Sequence, residues 1–194
     1  MRVSKRRTDK AAACLRARYC NQPAHRRLIV DLLMFKYRIT KYDPRKRDNE
    51  GRYLAEEWTM YSQVGQVIAG RALTVDEYSR IETAYIKAAM NFLAECGVDA
   101  LTIRGLENSA GHRSDSFELR EGIRISGDSL YETLKSLLRE EFWCRLEGEH
   151  GSYIHVGWDY YMYVGVPCVP SAGIEAAQAD GLFVESFESP HMAH

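Results

Sequence analysis

The feature that most constrains this chain is one long apolar stripe that begins at a helix cap. Thr74-Val75-Asp76-Glu77 has the form of a capping box: the threonine hydroxyl can accept from the Glu77 amide, and the Glu77 carboxylate from the Thr74 amide. Tyr78, Ile81, Tyr85, Ala88, Ala89, Phe92 and Cys96 then recur at helical spacing, and Ile86, Met90 and Leu93 widen the face. Gly97 stands where a left-handed residue closes a helix. A helix of about 22 residues, at 1.5 Å per residue, spans a small domain from side to side. Its oily face requires a second layer to bury against.

The rest of the chain supplies that layer. Phe35 to Tyr42 alternates with a period of two, placing Phe35, Tyr37, Ile39 and Lys41 on one side and Lys36, Arg38, Thr40 and Tyr42 on the other, until Asp43-Pro44 ends the strand. Trp58, Tyr61, Val64 and Val67 at spacing three predict a helical turn or two. Val98–Arg104 and a short stretch at 122–126 read as strands. A second amphipathic helix, capped near Asp128 or Ser129, carries Leu130, Leu134, Leu137 and Leu138. Residues 142–146, 153–156 and 160–164 form a meander, and connections so short join antiparallel neighbours. A short Ala-rich helix from Ser171 and a strand at 182–187 complete the order, with a loose end expected over 191–194. The expected fold is a single α+β domain over residues 34–190. Its mixed, mostly antiparallel sheet carries the two main helices on one face.

Charge divides the chain. The net charge is −1, yet residues 1–33 hold nine Lys/Arg against two Asp, and the remaining 17 basic and 25 acidic residues leave the rest at −8. The first 33 residues read as a basic arm, either a solvated tail, a transit-type segment, or residues upstream of a natural start at Met34. The acidic body argues against nucleic acid as its partner, because phosphate binding needs a basic face. No apolar run reaches the roughly 18 residues of a membrane span. The scattered cysteines Cys14, Cys20, Cys96, Cys144 and Cys168 match neither a disulfide framework nor a metal-ligand spacing, so Cys96 and Cys144 read as small buried hydrophobes and no metal is expected. Neither of the glycine-rich phosphate motifs is present, so no nucleotide cofactor is expected.

Two sets of residues could carry function. His155-Val156-Gly157-Trp158-Asp159 places a histidine and an aspartate across a turn, the acid/base half of many nucleophilic sites. No serine or cysteine sits in a nucleophile motif, so the structural reading of His155 outweighs the catalytic one. Glu56, Glu57 and Asp159 could act as paired carboxylates, or simply as a solvated charged surface. Tyr153, Trp158, Tyr160, Tyr161 and Tyr163 form the second set. Tyr161 and Tyr163 share one side of a strand and Tyr160 and Met162 the other. That would leave aromatics on an open sheet face unless the sheet is covered on both sides, in which case they simply stabilise it as cross-strand pairs. Tyrosine and tryptophan favour binding surfaces because they bury area at low entropy cost.

Tyr37-Arg38-Ile39-Thr40-Lys41-Tyr42-Asp43-Pro44, Glu57-Trp58-Thr59, Trp143-Cys144-Arg145-Leu146, the run from His155 to Tyr163 and the run from Gly181 to Pro190 resemble a group of small bacterial cytosolic proteins of no assigned activity. The resemblance covers roughly residues 34–190 and implies a bacterial cytoplasm and a start at Met34. In size and charge the chain also loosely resembles the immunity proteins that neutralise bacterial toxins. The expected function is a protein-binding module for a basic partner, using Trp158, Tyr161, Tyr163, Glu56 and Glu57. The alternative is an enzyme with His155 and Asp159 as its acid/base pair.

Overall fold

A computed structural model describes residues 34–109, 111–113, 118–157 and 159–192. The basic arm 1–33 and Trp158 lie outside the described residues. Phe35–His194 form one compact unit.

The long stripe forms helix α1, Val75–Glu95. Thr74 caps it, its hydroxyl accepting from the Glu77 amide at 3.1 Å. The reciprocal half of the capping box does not form, because the Glu77 carboxylate pairs with Arg71 instead. Gly97 adopts φ +67°, the left-handed conformation that a side chain disfavours. The second helix, α2, runs Gly127–Leu138, and its cap falls at Ser126 rather than at 128 or 129: the Ser126 amide donates to the Ser129 hydroxyl at 3.1 Å. Helix α3 is Ser171–Ala179.

Among the described residues the strands are β1 (Phe35–Thr40), β2 (Val67–Ile68), β3 (Arg71–Ala72), β4 (Leu101–Glu107), β5 (Arg124–Ile125), β6 (Trp143–Glu147), β7 (Tyr153–Val156), β8 (Met162–Val166) and β9 (Phe183–Ser186). Seven of them form one sheet in the order β5-β4-β6-β7-β8-β1-β9, and each pairing is antiparallel. The fold is α+β, as the periodicity requires. Strand β1 is inserted between β8 and β9. The remaining pair, β2 and β3, forms a small hairpin after a 3-10 turn at Tyr61–Gln63, where spacing three predicted helix. A period of three is that of the tighter helix.

Register fixes the two faces of the sheet. Tyr37, Val164, Ile154, Leu146 and Ile103 lie in one cross-strand row and pack toward the helices. One residue along, Arg38, Tyr163, His155, Arg145 and Arg104 form the row on the opposite face. Tyr78, Ile81, Leu134 and Leu138 all point into the core between helices and sheet. Burying each such side chain stabilises by about 1.5–3 kcal/mol.

The cysteine reading needs a correction. Cys96, just past α1, is bonded to Cys168, which lies in the loop between β8 and α3. The pair is 72 residues apart, so spacing in sequence could not reveal it. Cys144 is buried and free, as expected, and burial pushes its thiol up to about 12.

Candidate functional site

Strand β1 ends at Thr40, and the chain continues through Lys41 and Tyr42 before Asp43-Pro44 turns it away. It returns through an isolated bridge between Arg47 and Tyr53, which brings Glu56, Glu57 and Trp58 back beside residues 41 and 42. The turn between β7 and β8 arrives at the same end of the sheet. Three aromatic side chains fasten these segments together. The Tyr85 hydroxyl donates to the Tyr160 carbonyl at 2.9 Å and accepts from the Lys41 amide at 2.7 Å. The Tyr42 hydroxyl lies 3.0 Å from the Asp159 carbonyl and 3.3 Å from that of Trp58. Tyr160 is held at φ +62°, a conformation costing a non-glycine residue about 1–2 kcal/mol. Edge-to-face packing on Trp58, Tyr85 and Tyr78, at centroid separations of 4.9, 5.1 and 5.9 Å, over-determines it.

Lys41 sits at the centre of this end. Only 5% of its side chain is exposed, and its Nζ donates to Glu57 Oε2 at 3.1 Å. The same ammonium lies 4.1 Å from the ring centroids of both Tyr42 and Trp58. The other Glu57 oxygen accepts from the Tyr53 hydroxyl at 2.6 Å. Burial pulls the Lys41 amine down to about 8, against the opposing attraction of Glu57 and Glu77. Burial would raise the Glu57 carboxyl, but hydrogen bonds from Tyr53 and Lys41 outweigh it and hold the group below the usual range. A cleft of about 480 Å³ opens here, walled by Lys41, Glu56, Glu57, Trp58, Arg71 and Arg80 over a floor that includes Ile68, Leu73 and Ile81. This volume suits a small molecule or a side chain from a partner. A second hollow of about 530 Å³ lies along α1, between Asp76, Arg80, Lys87 and Asp180.

The opposite face of the sheet is closed. The chain beyond β9 crosses it, so that Phe187 packs on Tyr163 and His191 packs on Trp143 and Tyr163. His155 is 1% exposed beneath this segment, and its Nδ1 shares a 2.7 Å hydrogen bond with the Ser189 hydroxyl. Tyr153 stacks on it at 4.6 Å, and that ring in turn lies against Gly165, where a side chain would collide with it. Burial, with the positive charges of His191 and Arg145, pulls His155 down to about 3. The imidazole is therefore neutral at physiological pH and a poor base.

The sequence-derived candidates fall into different places. Glu56 and Glu57 both line the cleft, Glu57 with its carboxylate taken up by Lys41 and Tyr53 and Glu56 exposed. The expected pairing of His155 with Asp159 does not form: His155 is engaged by Ser189, while the exposed Asp159 acts on His191, whose pKa its charge raises against a larger lowering by burial. The open aromatic face also needs correction. Tyr163 is 5% exposed, and Tyr161 is half-buried with the Arg38 guanidinium 4.9 Å from its ring centroid. Alternation placed these two tyrosines on a shared side, and the alternative of a sheet covered on both sides is the one found, with residues 187–191 as the cover. Lys41, Tyr42, Tyr53, Tyr85 and Ser189 were not anticipated as site residues. One signal for Lys41 was present, namely a lysine in the same alternating set as Phe35, Tyr37 and Ile39. A lysine in an inward register is rarely buried without a partner.

Comparison of the chain with protein-family models, with curated proteins and with solved structures returns no match.

Proposed function

We propose that this protein is a binding module that engages a basic protein partner at the aromatic end of its sheet. One observation carries the reading. Glu56 and Asp159 are exposed, neither makes an ion pair among the described residues, and their backbone neighbourhoods are pinned together by a single tyrosine, Tyr42. Carboxylates fixed on a rigid aromatic frame favour a cationic surface and accelerate its approach. Within residues 34–194 acidic groups exceed basic ones by eight, which favours the same kind of partner. A basic bacterial toxin is one partner of this kind, consistent with the loose likeness to immunity proteins.

The test is a photo-crosslinking residue placed at position 56, at 159 and, as a control, at the exposed Asp128 on α2. The expected outcome is one basic protein crosslinked from positions 56 and 159 but not from 128, with capture lost in the double variant E56R/D159R. Equal crosslinking from all three positions, or an acidic partner, refutes the surface.

No helix among the described residues is long and apolar enough to cross a membrane. The cytoplasmic setting implied by the resemblance is part of the proposal and meets one opposing observation, the Cys96–Cys168 bond. Reducing cytosol keeps most such pairs open. Alkylation of the protein as drawn from its cell, followed by mapping of Cys96 and Cys168, separates the two: labelled thiols support cytoplasm, and protected ones an oxidising compartment.

A further inference from the structure

We propose that Lys41 is a reactive amine that condenses with the carbonyl group of a small anionic aldehyde or keto acid held in the adjoining cleft. The inference goes beyond the partner surface: that surface is carried by exposed carboxylates, this site by the buried amine behind them.

Four features converge on it. Lys41 lines the 480 Å³ cleft, while its side chain is 5% exposed, against 53% for Lys46 and 34% for Lys135. An amine stripped of water in an aromatic setting sheds its proton more readily than a solvated one and becomes a nucleophile. Glu57 lies 3.1 Å from the nitrogen, close enough to exchange a proton with it, and Tyr53 fixes the carboxylate from its other side. Arg80 lines the same cleft and makes no ion pair among the described residues, whereas Arg71 is already paired with Glu77. A carboxylate or phosphate on the ligand would therefore meet Arg80. Trp58, Leu73 and Ile81 contribute apolar surface to the cleft against which the carbon skeleton would pack.

The step balances without a redox partner. The ammonium passes a proton to Glu57, and the neutral nitrogen attacks the carbonyl carbon, forming the C–N bond. A proton moves from that nitrogen to the former carbonyl oxygen, giving a carbinolamine. Glu57 then returns its proton to the hydroxyl, the C–O bond breaks, and water leaves. The product is a protonated imine on Lys41 beside a Glu57 carboxylate.

The probe is glyoxylate with cyanoborohydride, which traps the imine as a stable amine that peptide mapping locates. Lys41 should label at least about tenfold faster than Lys36, Lys46, Lys87 and Lys135, since each unit of pKa changes the neutral fraction tenfold. The preference should vanish in denaturant. Arg80→Ala should slow labelling of Lys41 by glyoxylate but not by acetaldehyde, and Glu57→Gln should slow both. Labelling of Lys41 in the folded protein no faster than that of the exposed lysines overturns the proposal, whatever the variants do. An unchanged glyoxylate rate in Arg80→Ala overturns the anionic ligand class. Neither failure touches the partner surface, which crosslinking at positions 56 and 159 reads separately.

Discussion

The aromatic end of the sheet and the face beneath the C-terminal segment are built from similar parts and behave in opposite ways. Each holds one buried basic side chain among tyrosines, Lys41 in the first and His155 in the second. Burial pulls the pKa of both downward. Lys41 keeps a carboxylate at hydrogen-bond distance and lines a cleft, whereas His155 shares its hydrogen bond with a serine hydroxyl and lies under a lid of chain. The contrast teaches that the type of residue and its burial do not distinguish a chemical site from a structural one. Access and a proton-carrying neighbour do.

The largest expected effect tests whether the aromatic end is the rigid one. Tyr85→Ala removes a fully buried ring and both of its hydroxyl bonds, and should cost about 3–5 kcal/mol in chemical denaturation. Tyr85→Phe should cost less, about 1–3 kcal/mol, by leaving the Lys41 amide and the Tyr160 carbonyl unpaired. A loss below 1 kcal/mol for the alanine variant would show that the convergence of segments there is loose.

Gly165→Ala probes the other region, because the new methyl meets the Tyr153 ring that stacks on His155. Overpacking of this kind should destabilise by about 1–3 kcal/mol. A neutral result would mean that the closed face yields easily, and that the contrast with the cleft is overstated.

The two basic groups also predict pH windows of the same sign but different position. His155 titrates near 3 in the folded chain and near 6.5 when unfolded, so between these values the unfolded state binds the extra proton. Stability is full above about 6.5 and falls as pH drops, by up to about 1.4 kcal/mol per pH unit for this single proton. The groups around it are Ser189 and His191 from the terminal segment, Arg145 from β6, and Tyr153 and Tyr163. His155→Gln should flatten that acid limb, with any residual slope due in part to His191. Lys41 titrates near 8 when folded and near 10.5 when unfolded, so its contribution to stability rises with pH across that alkaline window. Lys41→Met should remove the alkaline rise and leave the acid limb alone. If either variant moved the other's limb, the two regions would be coupled rather than separate.

Ser189→Ala should give the smallest effect, about 1 kcal/mol, by removing the partner of the His155 Nδ1. It should leave glyoxylate labelling of Lys41 unchanged, which checks the independence of the two regions directly.

Much of the scaffold was legible because it rests on periodicity. The α1 stripe, the α2 leucines and the meander each announce a buried face, and Tyr78, Ile81, Leu134 and Leu138 occupy it. Features that depend on what lies across space were not legible. Nothing in Phe187, Ser189 or His191 signals that they cover Tyr163 and His155, since a tail has no repeating pattern to read. Nor does the spacing of Cys96 and Cys168 suggest their bond. The site was half visible. Glu56 and Glu57 were named as candidates and line the cleft, but Lys41 looked like an ordinary strand residue until its neighbours were placed.

That covalent link has a consequence for both regions. It closes a ring from residue 96 to residue 168 that contains β4 to β8 and α2. Lys41 and Glu57 enter from before the ring, Ser189 and His191 from after it, while Asp159, Tyr160 and His155 belong to it. Each cluster is thus a junction between a closed circuit and a segment outside it. A protease nicking the ring anywhere along its length would leave both halves tethered until a reductant released them.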